Sequence, residues 1–173
     1  MGDLPIYIAG DVNGEKTILH EASDEGRIAG FNSVREENAA FERRAWLGVT
    51  FCEPNICTVG TPFRELDKTS IAIGEVSFEG QGRSIVMLKE KGHLRVYGDK
   101  KTGKLLGAEM MAPSGEHLAH LLSWAIQMEL TVHEVLSLPF YHPVVEEGLR
   151  TALRNLREAM NPKFVGMELL KYQ

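Results

Sequence analysis

The chain has 173 residues, enough for one domain, or for one domain with a piece of another. A hydrophobic fraction of 43% against 25% charged residues is that of a globular protein with a real core. A net charge of −5, with basic residues scattered apart from Lys100-Lys101, excludes the basic footprint of a nucleic-acid binder or a membrane-surface patch.

Residues 4–9 (LPIYIA) form a short apolar run ending at Gly10-Asp11 and read as a buried strand. No charged segment followed by a long apolar stretch opens the chain, so no signal peptide is expected. Thr17 is placed to cap a helix that runs through residues 18–30 towards Asn32. Residues 34–44 (VREENAAFERR) are polar and read as a linker or a helix end.

Strand patterns follow. Residues 46–51 (WLGVTF) are interrupted by Pro54, and residues 56–59 resume the pattern up to Gly60. Residues 69–78 and 84–89 (SIVMLK) also have strand character. Residues 93–97 (HLRVY) meet turn chemistry at 99–104 (DKKTGK), and residues 105–111 leave it, which predicts a hairpin. Successive strands with short links imply an antiparallel sheet.

The last third is helical. Residues 115–128 place Leu118, Leu121, Leu122, Ala125 and Ile126 on one face. Thr131 and Glu134 form a capping box. Residues 145–160 place Leu149, Ala152, Leu153, Leu156 and Ala159 on one face, and Asn161-Pro162 stops that helix. No apolar run is long enough to span a bilayer. The order of strand and helix, then sheet, then helices predicts an α+β fold, an antiparallel sheet flanked by helices.

Four groups could carry chemistry. In residues 141–148 (YHPVVEEG), Pro143 restricts His142, and Glu146 and Glu147 stand in a helical first turn. Two readings fit. One is an ordinary acidic helix start. The other is a histidine base whose tautomer is set by a carboxylate five residues on. Cys52 and Cys57 are separated like a redox pair, but Cys52 ends an apolar strand beside Glu53, so both read as small strand or core residues. Two cysteines make no disulfide framework and point to a reducing, cytoplasmic setting. His117 and His120 share a helix face but lack a third and fourth ligand, so no metal is expected. Asp11, after a strand and before a helix, is placed to hold a sugar-like hydroxyl.

These segments together resemble the C-terminal part of the flavin-dependent pyridine nucleotide-disulfide oxidoreductases, dihydrolipoamide dehydrogenases above all. Residues 6–12 (IYIAGDV) with 18–26 (ILHEASDEG) are similar to the family's last flavin-binding motif. Phe51, Pro54, Val59 and Gly60 are similar to the opening of its interface domain. Residues 102–120 (TGKLLGAEMMAPSGEHLAH) are similar to its hairpin and following helix, and 141–148 to its His-Pro motif. Phe140-Tyr141 depart from it, since lipoamide dehydrogenases usually carry a small residue and a second histidine there.

The resemblance implies residues 1–44 as the end of an FAD-binding domain and 45–173 as an FAD/NAD-linked reductase dimerisation domain. It implies that Asp11 meets the ribityl chain of FAD, and that Thr17, Ile18, Leu19 and His20 face the flavin's pyrimidine end. His142 matches the catalytic acid/base and Glu147 the carboxylate that orients it, working across a homodimer on a lipoamide-like dithiol, with NAD as the final acceptor. The redox disulfide, the glycine-rich FAD motif and the NAD domain would lie upstream, so this chain alone would be inactive. The alternative is a stand-alone dimerisation or binding module without catalysis.

Overall fold

Glycine-punctuated runs of alternating or continuous apolar residues from Leu47 onward build one sheet in the computed structural model of the chain, which describes residues 4, 6–161 and 166–169. The strands are β1 (Leu47–Thr50), β2 (Asn55–Gly60), β3 (Ile71–Ser77), β4 (His93–Asp99) and β5 (Leu105–Ala112). They pair antiparallel in the order β1-β2-β5-β4-β3. The α+β class and the antiparallel sheet flanked by helices are what the sequence pattern predicts. The chain divides into two compact units, Met1–Arg43 and Arg44–Gln173.

The second unit holds the apolar core. The β4–β5 hairpin forms around its turn. Asp99 Oδ1 accepts hydrogen bonds from the Lys101 and Thr102 amides, and Gly103 takes φ +75°. Helices α3 (Gly115–Gln127), α4 (Val132–Leu136) and α5 (Glu146–Met160) follow the hairpin. The capping box is present at α4, with Thr131 and Glu134 satisfying each other's backbone amides. Leu118, Leu122 and Ala125 of α3 are buried, whereas Leu121 of the predicted face stays exposed. On α5, Leu149, Ala152, Leu153 and Leu156 are buried; Ala159 is exposed and Met160 packs on the core instead. A Cβ on Gly74 of β3 would stand 2.1 Å from the Ala152 carbonyl oxygen, so glycine is what lets α5 lie against the sheet. Pro162, expected to stop α5, lies outside the described residues.

Two segments differ from the sequence expectation here. The apolar run 84–89 is not a strand: residues 82–86 form helix α2 (Gly82–Val86), because the Gln81 side chain accepts from the Ser84 amide and caps it. Pro54 does not interrupt one strand. The chain reverses between β1 and β2, which pair from Leu47↔Val59 to Thr50↔Ile56.

The first unit consists of a 3-10 turn (Asp11–Asn13) and α1 (Leu19–Ser33). The predicted buried strand at 4–9 is absent from its described residues, and Leu4, Ile6 and Ile8 are exposed. Pro5 lies outside the described residues. A strand needs a neighbouring strand to satisfy its amides and cover its face, and no described segment pairs with this one. Thr17 is not the cap of α1; that position is Ile18, with no side-chain cap.

Candidate functional site

The segment between α4 and α5 carries His142, and three contacts fix where it enters α5. The Gln81 side chain, besides capping α2, donates through Nε2 to the Val144 carbonyl at 2.9 Å. Val145 and Leu149 are buried in the core. Gly148 packs so tightly on Phe78 that an added Cβ would stand 2.6 Å from the ring. Glu147 is therefore held in the first turn of α5, and the His142-Pro143 peptide, which is cis, precedes it.

Here the structure brings together the two residues that the sequence pairs. His142 Nδ1 lies 2.8 Å from Glu147 Oε1, and the Val144 amide donates to Glu147 Oε2 at 3.2 Å. Each carboxylate oxygen thus has a partner, which fixes the plane of the group. The hydrogen bond from His142 is the main reason that the Glu147 carboxyl is held below its ordinary range; the Val144 amide and the charges of His142 and Arg150 add to it, and burial opposes it. A carboxylate on Nδ1 selects the tautomer with hydrogen there and leaves the lone pair on Nε2. The His142 side chain is 80% exposed, and Nε2 has no hydrogen-bond partner among the described residues. The arrangement can take a proton from an incoming acid at Nε2 while Glu147 stabilises the resulting imidazolium.

Beside the dyad lies an apolar cavity of about 400 Å³, whose lining includes Leu121, Trp124, Met128, Leu138, Tyr141 and Val144. Trp124 is 65% and Met128 70% exposed, an unusual amount of large apolar surface to leave in one place.

The other site residues belong to the first unit. Asp11 sits in the 3-10 turn, exposed, as are Thr17, Leu19 and His20, with Ile18 half-buried. Glu25 props this turn: it accepts the Gly10 amide at 2.6 Å and the Asn13 side-chain amide at 2.8 Å through Oε2. Arg43 lies 2.9 Å from Glu25 Oε1 and donates to Glu21 Oε2 at 2.5 Å. The Gly10 amide, followed by Asn13 and Arg43, holds the Glu25 carboxyl below its ordinary range against the effect of burial. Sequence reasoning missed Glu21, Glu25 and Arg43 as a cluster. Their only signal is a pair of glutamates four apart on one helix, the spacing at which two side chains share a face.

The remaining candidates do not assemble. Cys57 is buried in β2, and burial pushes its thiol up to about 11. Cys52 is exposed, not a core residue, with its thiol 3.1 Å from the Pro54 carbonyl. His120 Nδ1 lies 2.7 Å from the Glu116 carbonyl oxygen, and His117 Nε2 lies 3.6 Å from Glu116 Oε1. Among the described residues no three His, Cys, Asp or Glu side chains converge as metal ligands. No described helix is long and apolar enough to cross a membrane.

Residues 47–153 match the family model described as pyridine nucleotide-disulphide oxidoreductase, dimerisation domain. The chain is 33% identical over 156 residues to dihydrolipoyl dehydrogenase of Rhizobium etli, covering 86% of this chain and 31% of that protein. It is 29% identical over 155 residues to dihydrolipoyl dehydrogenase 3 of Haloarcula marismortui, covering 88% and 32%. It thus spans about a third of the length of the curated relatives it matches. Among solved structures, LpdA from Mycobacterium tuberculosis superposes with a TM-score of 0.74 at 23% identity, over 86% of this chain and 33% of that one. The Cu(II) complex of the HOCl-induced flavoprotein disulfide reductase RclA from Escherichia coli does so with a TM-score of 0.74 at 21% identity, over 84% and 34%. These two likenesses show a shared fold.

Proposed function

The chain belongs to the pyridine nucleotide-disulphide oxidoreductases through their dimerisation domain, and on that premise we propose that it pairs two copies of a dihydrolipoamide dehydrogenase-like enzyme and supplies each with the acid/base of the partner's dithiol site. The observation that carries this reading is the His142 Nδ1–Glu147 Oε1 contact of 2.8 Å on a histidine whose side chain is largely exposed. A base so oriented suits a thiol, whose thiolate and not its thiol is the nucleophile.

Nε2 of His142 takes a proton from one thiol of a lipoamide-like dithiol. The thiolate attacks one sulfur of a redox disulfide elsewhere in the whole enzyme, and the other sulfur leaves as thiolate. The substrate's second thiol gives its proton to that released thiolate and attacks its own sulfur in the mixed disulfide, which frees the other enzyme sulfur as a thiolate, so the dithiol is oxidised and the enzyme disulfide reduced by two electrons. FAD, held by Asp11 and residues 17–20, would supply the path for those electrons to NAD. Throughout, Glu147 holds the imidazole by Nδ1 and offsets its positive charge. The dithiol, NAD and a cytoplasmic setting are parts of this proposal.

For FAD this chain would contribute an edge. Residues 1–44 are taken as the end of the FAD-binding domain and 45–173 as the dimerisation domain. The first-turn amides of α1 have no side-chain cap, and Asp11, Thr17, Leu19 and His20 are exposed, which fits a ligand reaching the segment 17–20 and the Asp11 carboxylate. The homodimer would form over the apolar cavity face of Leu121, Trp124, Met128 and Tyr141, next to His142, because obligate interfaces are large and apolar. On this reading the chain alone lacks the electron path and is inactive.

The test is the full-length enzyme carrying His142→Ala, followed by stopped-flow at the flavin. Reduction by the dithiol should slow by about 10²- to 10⁴-fold, the usual worth of a general base, with flavin content unchanged. Glu147→Gln should slow the same step less. An unchanged dithiol rate in His142→Ala refutes the assignment.

A further inference from the structure

Helix α5 carries Glu147, Arg150, Arg154 and Arg157 at successive spacings of three and four, along one stripe. The arginines all grip one carboxylate from beyond the helix. Glu168 Oε2 accepts from Arg150 Nη2 at 2.8 Å and from Arg154 Nη2 at 2.7 Å. Its Oε1 accepts from Arg154 Nε at 2.7 Å and from Arg157 Nη1 at 3.1 Å. The clamp is bidentate at Arg154, the strong geometry for a guanidinium and a carboxylate. Arg154, and then Arg150, hold the Glu168 carboxyl down to about 2, and its side chain is only 15% exposed.

Arg150 occupies a particular place in this clamp. It stands three residues after Glu147 on the same helix, the spacing at which an arginine and a carboxylate ordinarily pair. They do not pair: both oxygens of Glu147 are taken by His142 and the Val144 amide. The guanidinium of Arg150 instead reaches Glu168, with its carbon 5.5 Å from the centre of the Phe140 ring and its Nε buried without a hydrogen-bond partner among the described residues. Glu146, the other carboxylate within reach along the helix, lines the apolar cavity with Leu121 and Trp124. The charged groups that bear on Glu147 are His142, from the preceding segment, and Arg150, from its own helix.

We infer that Glu168 is a positioning residue for the dyad: by holding Arg150 along the clamp it keeps that guanidinium from competing with His142 for the Glu147 carboxylate. Without its negative charge, Arg150 and Arg154 lose the carboxylate that they share. Arg150, with a buried donor already unsatisfied, turns to the carboxylate three residues back. Glu147 then pairs with Arg150, and His142 loses the partner that fixes its tautomer. This rests on the reading of His142 and Glu147 as a working pair.

The experiment is a long-range ¹⁵N–¹H correlation of the histidine rings in the labelled 173-residue chain, at a pH where the imidazoles are neutral, with His142 assigned from His142→Gln. In the unsubstituted chain His142 should be the Nδ1–H tautomer. Glu168→Gln should convert most of it to the Nε2–H form that free imidazole favours, and Arg150→Gln with Glu168→Gln should restore the Nδ1–H form. That rescue separates competition from simple damage to the fold, since the double variant loses more of the clamp. An unchanged tautomer in Glu168→Gln, or no rescue in the double variant, overturns the inference. Glu147→Ala, which removes the acceptor altogether, separates its failure from that of the underlying reading: an unchanged tautomer there means that the pair does not set it.

Discussion

In the unit that begins at Arg44 the buried side chains include Leu94, Leu118, Leu122, Leu149, Leu153 and Leu156; in the described part of the unit that ends at Arg43 they are Glu21, Glu25 and Asn32. Several apolar residues of the first unit are exposed instead, among them Leu4, Ile6, Ile8, Val12 and Leu19, and others such as Ile18 and Ile28 are half-buried. Burying a leucine is worth about 2 kcal/mol, so the second unit gains stability from its own residues many times over. Burying a carboxylate costs unless it is paired, and a paired one roughly breaks even. The contrast is that the first unit has polar groups around Glu25 and Arg43 matched to one another, with little net gain in stability, whereas the second is stabilised by its core.

The sharpest way to break this comparison is at Gly74. Gly74→Val should destabilise the second unit by about 3 kcal/mol, because its side chain must displace the α5 backbone at Ala152. Ile8→Ser, on an exposed residue of the first unit, should change stability by less than about 0.5 kcal/mol. Urea denaturation of both variants measures the difference. Similar costs at the two positions would mean that the first unit has an apolar core after all.

Acid separates the units more gently. The Glu25 carboxyl is held below its ordinary value of 4.5 in the folded chain. The stability it provides is therefore full above 4.5 and is lost as pH falls through its lowered folded value. Amide exchange in α1 should accelerate across that acid window while β4 and β5, under the apolar core, stay protected. Equal acceleration in both units would remove the distinction.

The same contrast decides what was legible in the sequence. Where a segment meets its partner within the chain, its pattern read true: the hairpin around Asp99 and Gly103, the capping box at Thr131 and Glu134, and the buried stripe of α5. The run at 4–9 has an equally good strand pattern, but a pattern states which face wants covering and not what covers it. Residues 84–89 misled for another reason. Their apolar content is compatible with either element, and the Gln81 side chain, which caps the helix and also holds Val144, decided between them. Within the candidate site, His142 and Glu147 could be read from one short motif because their contact is local. Glu168 could not, since its contact with Arg154 spans fourteen positions and no spacing rule links a helix stripe to a carboxylate beyond it.

The central claim is that this domain pairs with a second copy of itself over the face beside His142. The most direct test is the molar mass of the chain in solution by light scattering over a concentration series. A mass of twice 19.3 kDa that falls to one chain in Trp124→Asp is the predicted result. A monomer at every concentration, or a dimer indifferent to Trp124→Asp, would contradict it.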